Sequence, residues 1–343
     1  MSKWELMTLD GCVCSNGKPY RVSVKKGTVN KLLVNFLGGG FSWNGETAAS
    51  PITMKAMLQK KDGYYIPDVS PATLKIAHMF GLLDPKDKRN PFRDWYILNI
   101  PYVSADFHIG NHDFAYQDKV LHHHGQKNVT AALGVLKEFF PSTPDTLLIM
   151  GQSAGGAGCL AYAPQIQALY PDSENTIVYS EGTHFHSSLW PEITRDVWKV
   201  SPALQAYLKS DDLIVDLFRY ARDNMPASTR FLHSNTVWDK MLAEFMYKMN
   251  HGEKIANAAA LQEFHETLLH ATRTLKREMP QYSYYLTDYG KSPKDGTTAH
   301  IFAGAPKLLY NELQDGMSIA DWICRGIDGK PADIGAKFLE EGE

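Results

Sequence analysis

The 343-residue sequence predicts an α/β fold with a mostly parallel sheet and helices on both of its faces. Short apolar runs alternate along the chain with longer segments of helical periodicity. The runs are rich in β-branched or aromatic residues, as in strands buried on both faces of a parallel sheet, and they cover residues 32–37, 95–100, 146–150 and 176–180. No repeat, low-complexity segment or linker interrupts them, so a single domain over residues 1–343 is expected.

Helical periodicity fills the gaps between these runs. Residues 129–140 carry apolar side chains near one face of such a helix. Because strand-like runs and helical segments alternate, a right-handed arrangement with helices on both sides of the sheet is expected. Two later stretches, about 191–222 and 258–279, are helical without intervening strands. They are expected either to cover the sheet or to form a cap over the ligand end of the fold.

The composition excludes several classes of function. The formal net charge is -3 and no block of Lys or Arg stands out, so the chain lacks the positive surface needed to bind nucleic acid or an anionic membrane. No stretch is long and apolar enough to span a bilayer. The first residues contain an acid and no continuous apolar run typical of a signal peptide. A neutral or small-molecule partner is expected.

Cysteine usage indicates a reducing compartment. Four thiols in a chain of this length are not a disulfide scaffold. Cys12 and Cys14 have C-x-C spacing, but no second pair follows, so a metal knuckle is not expected. The sequence therefore predicts reduced cysteines and a cytoplasmic location.

A G-x-S-x-G pentapeptide, Gly151-Gln152-Ser153-Ala154-Gly155, stands between the third apolar run and a helix-like segment at 157–170. This strand, turn and helix context is the one required for a nucleophile elbow. The turn forces the serine into a strained conformation, and its neighbours must be small because larger side chains would collide with the adjacent strand and helix. Ser153 is therefore predicted to be a catalytic nucleophile, the alternative being a structural Gly-rich turn.

A Gly-rich segment follows the first apolar run. Gly38, Gly39 and Gly40 stand where many esterases have the loop that supplies an oxyanion hole. Side chains there would obstruct the substrate, whereas backbone N–H groups can point at the oxyanion. The segment lacks G-x-G-x-x-G spacing and the Lys-Ser/Thr pair of a P-loop, so a phosphate-binding loop is less favoured. Together with the elbow, it predicts an oxyanion hole that includes the Ala154 N–H.

The acid and the base of a triad are expected downstream, in the order serine, acid, histidine. Asp239 lies just past the strand-like residues 230–233, at the end of a strand where a triad acid belongs. His300 follows a Gly- and Thr-containing loop, a position suited to a general base. His184 and His186 precede Asp239, which argues against them. Order alone does not choose among the many downstream acids and histidines.

These segments, taken in order, resemble the pectin acetylesterase/Notum family over most of the chain. The Gly-rich segment continues into aromatic residues at 41–43, and the elbow, Trp238-Asp239 and Ala299-His300 follow in the family's order. The other matching segments are N-P-F-R-D-W at 90–95, I-P-Y at 100–102, D-F-H-I-G at 106–110, H-G-Q-K-N at 124–128, L-Y at 309–310 and G-M-S-I-A-D-W at 316–322. The resemblance depends on the order of all these segments together, because no single segment is specific to the family.

The resemblance implies an α/β-hydrolase-like fold and an esterase that works through an acyl-enzyme. It makes Ser153 the nucleophile, His300 the base and Asp239 the acid that orients the base. The oxyanion N–H groups would come from Gly39, Gly40 and Ala154. Family members remove acetyl groups from pectin, or a fatty acyl group from a signalling protein. Such a mechanism needs no cofactor and no metal.

The sequence departs from the family pattern where secreted relatives carry cysteines. Ser42, Ala48 and Val103 stand in those segments, and a reducing compartment permits the loss of a disulfide. Intact pectin does not enter cells, so a short imported acetylated sugar or another small ester becomes an alternative to the polymer. The expected function is that of a serine carboxylesterase that deacetylates an acetylated sugar or a pectin-derived oligosaccharide.

Two other classes of function are alternatives. The loop 106–113 contains D-x-H and G-N-H-D, which are ligand motifs of binuclear metallophosphatases, but in that class they lie far apart on different strands. A metal site in this loop, or at His122-His123-His124, is therefore disfavoured. A binding protein that kept the fold without the chemistry is the other alternative. Phe41, Trp43 and Trp238 are expected either to line the acyl pocket or to pack in the core.

Overall fold

The computed structural model describes residues 4–340 and has an eight-stranded sheet at its centre. Residues 1–3 lie outside the described range. They belong to the N-terminal segment that the sequence predicts not to be a signal peptide. The strands are β1 (Trp4–Val13), β2 (Pro19–Lys25), β3 (Lys31–Phe36), β4 (Tyr96–Ile100), β5 (His112–Tyr116), β6 (Lys119–His123), β7 (Thr146–Gln152), β8 (Thr176–Glu181), β9 (Arg230–Thr236) and β10 (Tyr282–Thr287).

The strand order in the sheet is β1-β2-β4-β3-β7-β8-β9-β10. From β4 to β10 every neighbouring pair is parallel, whereas β2 runs antiparallel to both β1 and β4. The two remaining strands, β5 and β6, form a separate antiparallel hairpin. The predicted fold class, a mostly parallel α/β sheet, is confirmed. The four apolar runs correspond to β3, β4, β7 and β8.

Helices cover both faces of this sheet. They are α1 (Gly45–Ala48), α2 (Met54–Leu58), α3 (Pro71–Ala77), α4 (Gly125–Phe139), α5 (Ala154–Leu169), α6 (Trp190–Glu192), α7 (Pro202–Gln205), α8 (Leu213–Asn224), α9 (Lys240–His251), α10 (Ala258–Glu278), α11 (Pro306–Tyr310), α12 (Ile319–Ile327) and α13 (Lys337–Glu340). A 3₁₀ turn spans Gly81–Leu83, and a π-helical turn spans Ile193–Val197.

Two apolar cores lie on opposite sides of the sheet. In β7, Leu147 and Ile149 belong to the core shared with α4, α5, α8 and α10, whereas Leu148 and Met150 belong to the core shared with α12. Successive side chains of a strand point to opposite faces, so a strand buried on both sides is apolar throughout. This is why β7 appears in the sequence as a continuous apolar run.

Two helices begin earlier than the sequence predicts. The helix expected at 129–140 spans Gly125–Phe139, because the buried Asp106 carboxylate accepts a hydrogen bond from the Gly125 N–H at 2.8 Å and satisfies a donor at the helix end. The helix expected at 157–170 spans Ala154–Leu169 and starts directly after Ser153. Helix propensity is weak in its glycine-rich first turn, and the packed elbow sets the start instead.

The two segments for which covering helices or a cap were the alternatives contain α7, most of α8, and α10. Residues 191–222 include α7 and most of α8, which packs against α5, while residues 258–279 correspond to α10, which packs against α8, α9 and β10. Among the described residues, no helix is both long enough and apolar enough to cross a bilayer.

Candidate active site

The predicted site residues converge at the carboxyl ends of the parallel strands. Gly38 to Gly40 follow β3, Ser153 follows β7, and Asp239 follows β9. His300 lies on the long loop after β10. Since the carboxyl ends of parallel strands meet at one edge of the sheet, residues that are far apart in sequence are brought together there.

Ser153 occupies a strained backbone conformation, with φ 54° and ψ -128°. The two glycines of the pentapeptide have no room for side chains. A Cβ on Gly151 would lie 1.9 Å from the Gly155 carbonyl oxygen, and a Cβ on Gly155 would lie 2.1 Å from that of Phe36. The Ser153 N–H donates to the Glu181 carbonyl at 2.8 Å. The glycines of the pentapeptide therefore allow the turn to press against β3 and α5.

The Gly-rich segment touches the elbow directly. A Cβ on Gly38 would lie 2.5 Å from the Gln152 carbonyl oxygen and 2.6 Å from the Ser153 Cβ. Within residues 4–340, the N–H groups of Gly39, Gly40 and Ala154 donate no hydrogen bond to another protein group. Free backbone donors beside a serine hydroxyl are what an oxyanion hole requires.

Asp239 and His300 form a close pair. The Asp239 Oδ2 lies 2.6 Å from the His300 Nδ1, and the Asp239 Oδ1 accepts a hydrogen bond from the Leu242 N–H at 3.0 Å. Asp239 is therefore the N-cap of α9 as well as the partner of the imidazole. The Thr298 N–H donates to the Trp238 carbonyl at 2.9 Å, which ties the loop before His300 to the segment after β9.

The pair leaves the far ring nitrogen of His300 available. Within the described range, His300 Nε2 is buried and has no hydrogen-bond partner. Burial disfavours the imidazolium, but the carboxylates of Asp239 and Glu181 outweigh that cost, so the pKa of His300 lies above its ordinary value. Ser153 and His300 line the same pocket.

Glu181 is a site residue that the sequence pattern did not single out. Its side chain is fully buried at the end of β8, and one carboxylate oxygen accepts hydrogen bonds from the Phe302 and Ala303 N–H groups, the latter at 2.9 Å. Burial raises its pKa to about 7. With its carbonyl bound to the Ser153 N–H, Glu181 connects the nucleophile turn to the histidine loop. The sequence does contain one signal for this residue, because a carboxylate at the end of a buried apolar strand indicates a functional or paired acid.

A pocket of about 620 Å³ opens next to Ser153 and His300. Its apolar wall consists of Leu37, Ile52, Ile66, Met241, Phe245 and Ile301, and its charged side chains are Lys240, Glu244 and Lys254. The remaining lining residues are Gly38, Gly39, Gly40, Gly63, Gln152, Ser153, Thr298 and His300. Neither α8 nor α10 contributes to this lining, which instead draws on α9 and on residues 52–66.

The three aromatic residues considered for the acyl pocket lie outside this lining. Phe41 is buried in an aromatic cluster with Phe107 and Phe245, and Trp43 contacts Phe245 from the same side. Trp238 stacks on a histidine at the surface of a different cleft. Both Phe41 and Trp43 contact Phe245, which does line the pocket.

His184 and His186, the other histidines considered for the triad, do not line the pocket of Ser153. The His184 Nε2 is bound to the Thr267 hydroxyl at 3.0 Å, and burial lowers the pKa of His184 well below its ordinary value. His186 borders a cleft formed with α8 and α10. Neither residue lines the pocket that contains the serine.

Asp106 and His108 of the 106–113 loop are bound to other protein groups. Asp106 is buried and accepts hydrogen bonds from the Ser104 hydroxyl and the His108 N–H, while the His108 Nε2 bonds to the Leu37 carbonyl at 2.9 Å. These contacts hold the loop behind the Gly-rich segment. Among residues 4–340, the one group of three side chains with metal-ligand spacing is Asp113, His122 and His124, away from the pocket.

Comparisons with known proteins concern the family and the fold of this chain. A family model described as Pectinacetylesterase matches residues 5–196, a range that includes the Gly-rich segment and Ser153 but ends before Asp239. The solved structure of the Wnt deacylase Notum from Drosophila is similar with a TM-score of 0.63 and 14% identity, covering 95% of this chain and 92% of that chain. At this identity the likeness concerns the fold. No curated protein matches.

Proposed function

The chain belongs to the pectinacetylesterase family and is an esterase; on that premise we propose that it is a serine carboxylesterase that removes an acetyl group from an acetylated sugar or a pectin-derived oligosaccharide. The observation that carries the proposal is the 2.6 Å contact between Asp239 and His300, on the pocket that also contains Ser153. A nucleophile on a strained turn, an imidazole and a buried carboxylate are the parts of a catalytic triad.

In this mechanism His300 Nε2 accepts the proton of the Ser153 hydroxyl while Oγ attacks the acyl carbon. The N–H groups of Gly39, Gly40 and Ala154 stabilise the oxyanion that forms. The intermediate collapses, His300 returns the proton to the leaving alcohol, and the acyl group stays on Ser153. Water then attacks the acyl-enzyme with His300 as base, which releases the acid and restores the hydroxyl.

The pocket supports a substrate with an apolar and a polar part. Its apolar wall can take the acyl group, and Lys240, Glu244 and Lys254 can bond to hydroxyl or carboxylate groups of a sugar. A small-molecule or oligosaccharide ester is thus the proposed partner. All four cysteines are free, in keeping with the cytoplasmic location that remains part of the proposal.

The nucleophile is tested with Ser153→Ala. We expect ester hydrolysis to fall to background while the protein stays folded, because the acyl-enzyme needs the hydroxyl and alanine is small enough for the turn. A fluorophosphonate probe should label wild-type protein at Ser153. Ser173→Ala, which changes a buried serine at the other end of β7 and β8, is the matched control and should keep activity and labelling. Wild-type turnover by Ser153→Ala, or labelling at another residue, contradicts the assignment.

The substrate is tested with a panel. p-Nitrophenyl acetate, butyrate and octanoate report the length of the acyl group, and acetylated mono- and oligosaccharides report the alcohol. The proposal predicts the highest kcat/KM for acetyl esters of sugars. A preference for octanoate would keep the serine mechanism and reject the acetyl group. p-Nitrophenyl phosphate, with and without chelator, tests the alternative of a metal-dependent phosphoesterase, which we expect to be inactive.

A further inference from the structure

The β5–β6 hairpin brings together two histidines and a carboxylate that lie in two separate sequence motifs. Asp113 pairs with His122 across the hairpin, and His124 follows two residues later on the same side. The Asp113 Oδ1 lies 2.6 Å from the His122 Nδ1 and 2.8 Å from the His124 Nε2. We call these three residues the hairpin cluster.

The backbone around the hairpin cluster is held in place independently of the three side chains. The His122 N–H donates to the Ser15 carbonyl at 3.0 Å, and the Gln126 N–H donates to the Gly110 carbonyl at 2.9 Å. His123 points the other way, is fully buried and bonds through Nδ1 to the Ser104 carbonyl at 3.0 Å. A ligand at the cluster would therefore meet side chains whose backbone positions are already fixed.

The cluster differs from the ordinary histidine–carboxylate pairs of this chain. His251 and Glu263 form a surface pair at 2.8 Å in which one imidazole meets one carboxylate. In the hairpin cluster two imidazoles approach the same carboxylate oxygen, and the three ligand atoms all lie within 4.8 Å of one another. A simple ion pair needs only one of these imidazoles, whereas a bound cation would use both.

We propose that the hairpin cluster binds a divalent first-row transition cation such as Zn²⁺ through Asp113 Oδ1, His122 Nδ1 and His124 Nε2, with water completing the coordination. Imidazole and carboxylate donors suit this class of ion, which binds each at about 2.0–2.2 Å. An ion between the three atoms requires Asp113 to move outward, and its side chain is 60% exposed and free to do so.

The ion would join three elements rather than take part in ester hydrolysis. Asp113 lies on β5, His122 lies on β6, and His124 is the residue before α4. None of the three lines the pocket of Ser153. Binding should consequently stabilise the fold by mass action and leave turnover unchanged.

The test uses full-length protein stripped with a chelator and desalted. We expect Zn²⁺ titrated calorimetrically near neutral pH to bind with one equivalent per chain and to raise the Tm, and Co²⁺ to give visible absorption bands of a histidine-ligated site. His122→Ala and Asp113→Asn should each lower the affinity at least tenfold and abolish the Tm shift. Both changes are at the surface and should leave the apo Tm within a few degrees of wild type.

Two control variants show whether Zn²⁺ binds at this cluster or elsewhere on the chain. His251→Ala removes an exposed histidine from a simple ion pair and should bind Zn²⁺ like wild type. Ser153→Ala should also bind normally, so that a failure of the proposed esterase mechanism leaves this result intact. The proposal is overturned if wild-type protein takes up no Zn²⁺, or if His122→Ala and Asp113→Asn bind as tightly as the His251→Ala control.

Discussion

Asp239 performs two tasks with its two carboxylate oxygens. Oδ1 caps α9 through the Leu242 N–H, and Oδ2 contacts His300. Asparagine is an equally good N-cap but presents either a donor or an acceptor to the imidazole instead of a charge. Substitutions at this position can therefore separate the structural task from the catalytic one.

We expect Asp239→Asn to keep the stability of the fold and to lower kcat by a factor on the order of 10⁴, because the imidazole adopts the wrong tautomer. Asp239→Ala should lose the same activity and also about 1 kcal/mol of stability, since the cap is removed. Steady-state kinetics and thermal unfolding of both variants measure the two effects. Equal stability of Asp239→Ala and wild type would contradict the capping task.

His300→Ala tests the other half of the pair. It should be at least as damaging as Asp239→Asn, and the double variant should lose far less than the product of the two single effects, because triad members act as a unit. Multiplicative losses, or a His300→Ala enzyme near the wild-type rate, would reject the pair. His184 and His186 would then be the next residues to substitute.

Glu181 is expected to affect the pH dependence of activity through its charge, which raises the pKa of His300. It also holds the histidine loop by hydrogen bonds, and a charge-removing substitution separates these two effects. The base must be neutral, so kcat/KM falls as the pH drops through the pKa of His300, which lies above the ordinary value of about 6.5. Glu181→Gln keeps an oxygen for the Phe302 and Ala303 N–H groups but removes the buried charge. The acidic limb of the pH profile should then move to lower pH.

Asp212→Asn is the matched control for this shift. Asp212 is a largely buried carboxyl group, with its side chain 14% exposed, and desolvation raises its pKa to about 7; it caps α8 and does not line the pocket. Its replacement should leave the acidic limb in place. A Glu181→Gln enzyme with reduced kcat and an unmoved limb would show that Glu181 acts only through the backbone of the loop.

The sequence could predict the strand, turn and helix around Ser153, because they form a local pattern. Ser153 is recognisable because the strand, the turn and the helix are contiguous. The contact of Asp239 with His300 joins residues on different loops, and spacing alone could not select it among the other acids and histidines. The sequence could not predict the position of Glu181 in the site, because its hydrogen-bond partners follow His300, more than a hundred residues downstream.

At the scale of elements, the Gly-rich segment packs directly against the turn that carries Ser153 and would supply the proposed oxyanion donors. We expect Gly38→Ala to lower kcat on the order of 10²-fold and to destabilise the protein, because its Cβ would press on Gln152 and Ser153 and displace the oxyanion donors. Kinetics and thermal unfolding check both effects.

Gly134→Ala is the matched control. Gly134 is exposed in the middle of α4, and a Cβ there meets nothing within 4 Å. The substitution should stabilise the protein by about 0.5–1 kcal/mol without changing kcat, since alanine loses less backbone entropy in a helix. A Gly38→Ala enzyme as stable and active as Gly134→Ala would contradict the close contact.

The strands that the sequence predicts contain a short run of consecutive apolar residues. The strands that it does not predict lack such a run. β3, β4, β7 and β8 are buried along nearly their whole length and contain short apolar runs, because both of their faces are covered. β1 is an edge strand with exposed residues and an irregularity between Thr8 and Val13, so its pattern is weak. β10 is buried, but its three tyrosines and its polar residues conceal the run.

At the scale of the whole molecule, the sheet is assembled from both halves of the chain. β1 to β4 form one side, and β9 and β10 form the far edge beyond β8. We propose that the chain is one domain and expect a single cooperative transition, coincident by circular dichroism and tryptophan fluorescence. Two separated transitions would contradict this.

A fragment ending at residue 196, where the family match ends, offers a second check. It would lack β9 and β10 as well as Asp239 and His300, and it would expose the buried strand β8 as an edge. We expect this fragment to aggregate. A soluble, cooperatively folded fragment would show that the second half is a separate unit.

The positive φ of Ser153 implies a cost in stability at this position. A non-glycine residue held in that conformation costs about 1–3 kcal/mol, and glycine would not bear the cost. Ser153→Gly should therefore have a higher Tm than Ser153→Ala, because relief of this strain outweighs the destabilisation of about 0.4–1 kcal/mol that comes from the extra entropy of glycine in the unfolded chain. We therefore expect that the serine which the proposed chemistry needs is not the residue that would give the most stable fold.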